Sequence, residues 1–282
     1  MIEPRVLVNG ETTATLSVFD RGLLYGDGLF ETVRYENGKL SFWPYHLKRL
    51  NSGLVRLGFA PLNEADLCAQ IERLSADLSY AVVKIIVTRG QGARGFRPPA
   101  AECATVIVMV YPRLQPFETD AVMQKVRLCS TRLPLRPHLA GLKHLNCLDY
   151  VMARQEWAAE DADEGVLLDT QGYVIEATQS NLFLIREGSL ITPTLDQTGV
   201  AGVMRAIVLD TAESLAWQVH VDRVTLDAVK SADEMFLTNT IMGLAAVRQF
   251  ENTVFTSHEK TEELRKLLKE RYFKMPTGSE GS

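Results

Sequence analysis

Two Asn-Gly pairs, Asn9-Gly10 and Asn37-Gly38, stand between short apolar runs near the start of the chain. Both residues of such a pair tolerate the left-handed backbone that a two-residue hairpin turn demands. RVLVNG, TLSVF and LFETVRYENGKLSF are therefore expected to be strands of an antiparallel sheet. Pro44 then opens a helical stretch with Leu47, Leu50, Leu54 and Leu57 on one stripe, and a second helix is predicted over 63–78. Strand-like runs at 81–88 and 104–110 complete a small α+β domain over residues 1–112.

YPRLQPFETD, residues 111–120, carries two prolines between apolar runs and supplies an interdomain linker, placed at 113–122. Beyond it the strand-like runs VRLCS, GVLLD, NLFLI and EMFLTN mix with helices predicted near 145–159, 203–216 and 258–272. That pattern describes a larger mixed α/β domain over 123–274, followed by MPTGSEGS, residues 275–282, read as a disordered tail. The net charge of -5 leaves no basic footprint for nucleic acid or anionic lipid, and no apolar run reaches the length of a membrane span. MIEPRVLVNGETTA lacks the basic and apolar regions of a signal peptide. Cys68, Cys103, Cys129 and Cys147 show no CxxC spacing and no histidine partners at zinc intervals. Neither a metal site nor a disulfide framework is expected, and free thiols suit a reducing cytoplasm.

Five stretches bear on chemistry. In GLKHLNCLDYVMARQ, Lys143 precedes Leu145, Leu148, Val151 and Met152, whose helical spacing predicts a core-facing stripe. A lysine there is either a snorkelling surface residue or present for its amine. HLKRL sets His46 and Arg49 three apart on one helix face, which by itself describes a solvated basic surface. EATQSNLFLI places Glu176 before an apolar strand, where a carboxylate could equally be a turn residue. DQTGVAGVMRAIV runs a glycine loop into a helix near Val203, and free amides at such a start suit an anion. EMFLTNTIMG ends a strand in Thr238, Asn239 and Thr240, whose hydroxyls and amides could hold a second phosphate contact. An amine, a carboxylate, an arginine and two phosphate-suited loops fit pyridoxal 5′-phosphate, in which the ring acts as an electron sink.

DRGLLYGDGLFETVR, HLKRL, GLKHLN, EATQSNLF, GVAGVMR and TNTIMG occur in that order and span almost the entire chain. Together they resemble the fold-type IV pyridoxal-phosphate enzymes, which include branched-chain and D-amino acid aminotransferases and aminodeoxychorismate lyase. The resemblance implies a two-domain fold, small α+β then larger α/β, with the cofactor between them and a homodimeric assembly. It implies that Lys143 is the Schiff-base lysine and Glu176 the partner of the pyridine nitrogen. It also implies Arg49, the helix-start amides of Val203 and Met204, and the hydroxyl of Thr240 as phosphate ligands. Glu31, in LFETVR, is shared across the superfamily and does not discriminate among its members. Many relatives carry tyrosine four residues after the lysine, where this chain has Cys147.

RGQGARGF and RPHLAGLKHLN look like segments of the lyase rather than of the aminotransferases. A glycine-rich arginine loop suits a dianionic substrate, with Arg94, Arg97 and His138 as candidate contacts, although a mobile surface loop is the plain alternative. The implied activity converts 4-amino-4-deoxychorismate to 4-aminobenzoate and pyruvate on the folate route. The alternative is a class IV aminotransferase for D- or branched-chain amino acids. A non-catalytic carrier would need neither the carboxylate nor an anion-reading loop.

Overall fold

In the computed structural model, residues 3–99, 104–117 and 122–270 are described. The chain divides into two compact units, one of residues 1–117 with 142–147, the other of 118–141 with 148–282. In the first unit the elements run β1 (Arg5–Val8), α1 (Arg21–Tyr25), β2 (Gly28–Glu36), β3 (Lys39–Leu40), α2 (Trp43–Arg56), α3 (Glu64–Ser75), β4 (Tyr80–Thr88) and β5 (Thr105–Arg113). The strands form one sheet in the order β1-β5-β4-β2-β3, antiparallel at every pairing. Asn37 and Gly38, with φ of 46° and 81°, make the tight turn from β2 to β3. Val33 of β2, Val83 and Ile85 of β4 and Val108 and Val110 of β5 are fully buried, as are Leu54 of α2 and nearly so Ile71 of α3.

Asn9 and Gly10 also turn tightly, with mutual Val8 and Glu11 backbone hydrogen bonds of 3.0 Å, but β1 pairs with β5 rather than with a strand following the turn. TLSVF is thus not the strand expected. Thr13 and Ser17 hydroxyls accept from the amides of Thr15 and Phe19, and these local bonds replace a ladder.

The expected assignment of the Lys143 segment to the larger domain is corrected. Residues 142–147 belong with the first unit because their backbone bonds to β2: Phe30 N–H donates to the Lys143 carbonyl at 2.9 Å and Leu145 N–H to the Gly28 carbonyl at 3.1 Å. Leu142 is buried, and the close approach of Leu29 and Leu142 side chains to Gly53 of α2 leaves no room there for a Cβ. The linker placed at 113–122 begins within β5, and residues 118–121 lie outside the described ones. The tail at 275–282 likewise lies outside them.

The second unit runs β6 (Val122–Met123), β7 (Val126–Leu133), α4 (Leu148–Arg154), β8 (Glu164–Asp169), β9 (Val174–Ala177), β10 (Asn181–Arg186), β11 (Ser189–Pro193), α5 (Val203–Ser214), β12 (Val219–Asp222), α6 (Leu226–Lys230), β13 (Glu234–Asn239), β14 (Gly243–Val247), β15 (Gln249–Phe250), β16 (Thr253–Val254) and α7 (Glu259–Leu268). Two mixed sheets result, β12-β11-β10-β13-β14-β6 and β16-β15-β7-β8-β9. The near-continuous apolar runs of β8, β10 and β13 are buried along almost their whole length, as strands covered on both faces must be. Val166, Leu168 and Val174 pack with Leu182, Leu184, Met235 and Leu237 into one core.

The apolar residues of α4 do not face inward as their spacing predicted. Leu148, Val151 and Met152 are 70%, 49% and 52% exposed, while Ala153 and the following Trp157 enter a second core with Cys129, Leu133 and Leu167. The inward stripe is Ala153 and Trp157 with the partly buried Tyr150 packed against them, round the helix from the expected one. Gly165 sits under this core: a Cβ there would lie 2.5 Å from both the Cys129 sulfur and the Trp157 ring. Gly165→Ala should cost about 1–3 kcal/mol, the usual range for overpacking, read as a lower urea midpoint at unchanged slope.

Candidate active site

In the first unit, the period of β2 places Leu29, Glu31, Val33 and Tyr35 on the buried face, and α2 lies against that strand. A carboxylate on such a face needs partners, and the two basic residues of HLKRL supply them. His46 Nδ1 is 2.6 Å from Glu31 Oε2, and Arg49 donates from Nε to Oε1 at 2.7 Å and from Nη2 to Oε2 at 2.6 Å. Burial pushes the Glu31 carboxyl up, but Arg49 and His46 more than offset it and bring the pKa down to about 2. For His46 burial wins: it lowers the pKa despite the pull of Glu31, and the charges of Arg49 and Lys143 add to the depression. A neutral His46 donates Nδ1–H to Glu31 and leaves Nε2 a buried atom with no hydrogen-bond partner. The basic face that HLKRL suggested is thus an interior cluster, with His46 fully buried.

Lys143 stands on the sheet-extending segment described above, and its Nζ lies 4.3 Å from the centroid of the Phe30 ring. Phe30 alternates with Glu31 along β2 and so points to the other face. Backbone pairing with β2 places the residue, and its amine lies over an aromatic face. Cys147 donates its thiol to the His144 carbonyl at 3.3 Å, and burial raises its pKa.

RGQGARGF is a built loop. Arg89 pairs with Asp27 at 2.9 Å and lies over the Phe59 ring, so it is structural. Arg21, buried in α1, donates to the carbonyls of Gly95 at 2.9 Å and Phe96 at 3.0 Å, and Gly95 N–H donates to the Tyr25 hydroxyl at 3.1 Å. Arg94 and Arg97 are left exposed. The sequence-derived candidate His138 is exposed on the second unit.

Also in that unit, Glu176 lies within β9 and is 3% exposed. Tyr150 O–H donates to Oε1 at 2.6 Å, Asn181 Nδ2 donates to Oε2 at 3.1 Å, and the Val200 amide is 3.1 Å from both oxygens. Asn181 Nδ2 also donates to the Val200 carbonyl at 2.9 Å. Gly202 caps α5 with no side-chain hydrogen bond, so the first-turn amides of Val203 and Met204 have no side-chain cap. A Cβ at Gly202 would fall 1.9 Å from the Asn181 oxygen, so any side chain there would push the Asn181 amide aside. Arg205, in the same first turn, donates to the Pro193 carbonyl at 3.0 Å; burial lowers its pKa and Glu176 opposes the shift. Thr240 is buried just past β13, where Asn239 Oδ1 accepts from the amides of Ile241 and Met242 at 3.0 and 2.8 Å. Those two amides are therefore engaged by Asn239.

Sequence reasoning assigned Lys143, Glu176, Arg49, Val203, Met204 and Thr240 to one cofactor site through the resemblance, and it did not name Tyr150, Asn181, Val200 or Arg205. It also passed over Glu31 as undiscriminating. The signal for Glu31 was available: an acid inside an apolar strand must find cations, and the next helix offers two at helical spacing.

The sequence pattern of the family described as amino-transferase class IV matches residues 28–250, and the chain belongs to that family. Its fold is the fold-type IV one, α/β and α+β with mixed sheets. The crystal structure of 4-amino-4-deoxychorismate lyase from Pseudomonas aeruginosa superposes with a TM-score of 0.88 at 40% identity, covering 94% of this chain and 98% of that one. The aminodeoxychorismate lyase of Vibrio harveyi is 33% identical over 245 residues, 85% of this chain and 89% of its own. A putative branched-chain-amino-acid aminotransferase of Methanocaldococcus jannaschii is 30% identical over 275 residues, 95% of each chain.

The Glu31 cluster gives a pH-dependent expectation. Its carboxyl sits below the ordinary value of 4.5, so it stabilises the fold above that pH and the contribution is lost as pH falls towards about 2. Glu31→Gln should lower stability at neutral pH, since it removes the ion pair with Arg49 and the charged acceptor of His46. Urea melts should also show a shallower loss of stability for the variant than for the wild type between pH 4.5 and about 2.

Proposed function

We propose that the protein is an aminodeoxychorismate lyase, a pyridoxal 5′-phosphate enzyme that releases pyruvate from 4-amino-4-deoxychorismate and leaves 4-aminobenzoate for folate synthesis. The observation that carries the reading is the 40% identity to a lyase over 94% of the chain. The donor set fits the cofactor. It contains an amine at Lys143, a buried carboxylate at Glu176 and a helix start without a side-chain cap at Gly202, kept bare by the close approach of Asn181.

In this reading Lys143 would hold the cofactor covalently and Glu176 would accept a hydrogen bond from its pyridine nitrogen. The Val203 and Met204 amides, the Thr240 hydroxyl and Arg49 take the phosphate, with Glu31 fixing the Arg49 guanidinium. When bound, pyridoxal phosphate supplies an electron sink for negative charge at a substrate carbon. Lys143, as a free amine beside the bound substrate, would take the proton from the substrate ring carbon that bears nitrogen. Loss of the neighbouring enolpyruvyl oxygen then makes the six-membered ring aromatic, which drives the reaction forward. The amino group stays on the product, so no oxo acid is needed to collect it. Arg94, Arg97 and His138 are the proposed substrate contacts; the two arginines suit its carboxylates.

The protein is proposed to act as a homodimer in the cytoplasm. Exposed Leu148, Val151 and Met152 on α4 give an apolar face for a second copy, and Cys68, Cys129 and Cys147 are free thiols suited to a reducing compartment. No helix among the described residues is long and apolar enough to cross a membrane.

The class IV aminotransferase reading is supported by the Methanocaldococcus jannaschii relative and is separated by one assay. Purified holoenzyme given aminodeoxychorismate alone should form 4-aminobenzoate and pyruvate in equal amounts over many turnovers. Turnover that halts after one cycle until 2-oxoglutarate is added would identify an aminotransferase. Borohydride reduction should fix the cofactor on Lys143, and Lys143→Ala should lose both the covalent label and nearly all turnover; a label mapped to another lysine would refute the assignment. Glu176→Gln should bind the cofactor and lose about a hundredfold or more in turnover, the scale of one strong electrostatic contribution.

A further inference from the structure

We infer that Tyr150 is a positioning residue that sets how strongly Glu176 draws the proton it shares with a protonated heterocyclic nitrogen. The inference rests on the reading of Glu176 given above, and the geometry is confined to the second unit.

Tyr150 is on the short helix α4, with its ring packed against the core built on Cys129, Leu133, Trp157 and Leu167, so the phenol has little freedom. Its hydroxyl reaches Glu176 Oε1 at 2.6 Å, a length typical of an O–H donating to a carboxylate. The Asn181 amide and the Val200 backbone amide also reach the carboxylate, each at 3.1 Å. Arg205 is a charged group whose field reaches Glu176. Tyr150 therefore makes a shorter hydrogen bond to Glu176 than Asn181 or Val200 does, and is the donor of the three most able to change its basicity.

A carboxylate that accepts several hydrogen bonds has its charge spread and its proton affinity reduced. A pyridinium facing it keeps its proton on nitrogen only while the carboxylate is the weaker base. Without the Tyr150 hydroxyl, Glu176 becomes more basic and the shared proton moves towards oxygen. The ring nitrogen then carries less positive charge and stabilises the substrate carbanion less. Cys147, in the position where many relatives have a tyrosine, is bonded to the His144 carbonyl.

The test uses holoenzyme loaded with pyridoxal 5′-phosphate labelled with ¹⁵N in the ring. In Tyr150→Phe, which keeps the packed ring, the nitrogen resonance should move towards that of an unprotonated pyridine, and turnover should fall about tenfold, in the range of one hydrogen bond to a charged group. Incorporation of 3-fluorotyrosine at position 150, a stronger donor of nearly the same shape, should move the resonance the opposite way. That variant also keeps the test decisive if Tyr150→Phe loads cofactor poorly. Glu176→Gln serves as the reference: a resonance unchanged in it would overturn the Glu176 reading itself. A resonance that moves in Glu176→Gln but stays at the wild-type position in both Tyr150 proteins would overturn the role of Tyr150 alone.

Discussion

The first unit is organised around a charge placed where charge is most expensive. Glu31 lies on the covered face of β2 at 1% exposure, and that placement requires α2 to bring His46 and Arg49 down onto the strand. The burial of His46 and the orientation of the Arg49 guanidinium go with that one carboxylate. On the other face of the same strand, Phe30 carries the Lys143 amine over its ring and binds the lysine's carbonyl with its amide. One strand thus fixes an arginine on one side and a lysine on the other, through residues adjacent in sequence.

The second buried carboxylate is handled differently. Glu31 is matched by Arg49 and His46, which depress its pKa to about 2. Glu176 instead receives neutral O–H and N–H dipoles from Tyr150, Asn181 and Val200. The charge of Arg205, in the first turn of α5, also reaches Glu176.

Features set by local pattern were legible in the sequence. The Asn37-Gly38 turn, the strands β4, β5, β8, β10 and β13, and the helix starting at Val203 all follow from periodicity, turn chemistry and capping. Features set by distant partners were not. TLSVF has a strand's composition but no edge to join, and Leu148, Val151 and Met152 have a core's spacing while the core is reached by Tyr150, Ala153 and Trp157. RGQGARGF intersperses glycines with arginines and gives no sign that Arg89 is committed to Asp27 or that Arg21, far earlier, grips the loop's carbonyls. Lys143 was recognisable as a lysine set ahead of an apolar run. Its attachment to β2 was not, because nothing local distinguishes a segment that crosses back to an earlier strand.

The close approach of Asn181 to Gly202 sets a length. Asn181 holds Glu176 Oε2 and the Val200 carbonyl with its amide nitrogen, while its oxygen sits against the backbone from which α5 starts. The carboxylate and the helix start are thereby rigidly spaced, like the two jaws of a caliper locked by one screw. Under the proposed function, a flat ligand with a basic nitrogen at one end and an anion at the other would be held at that span, and an added methyl group at Gly202 would disturb it.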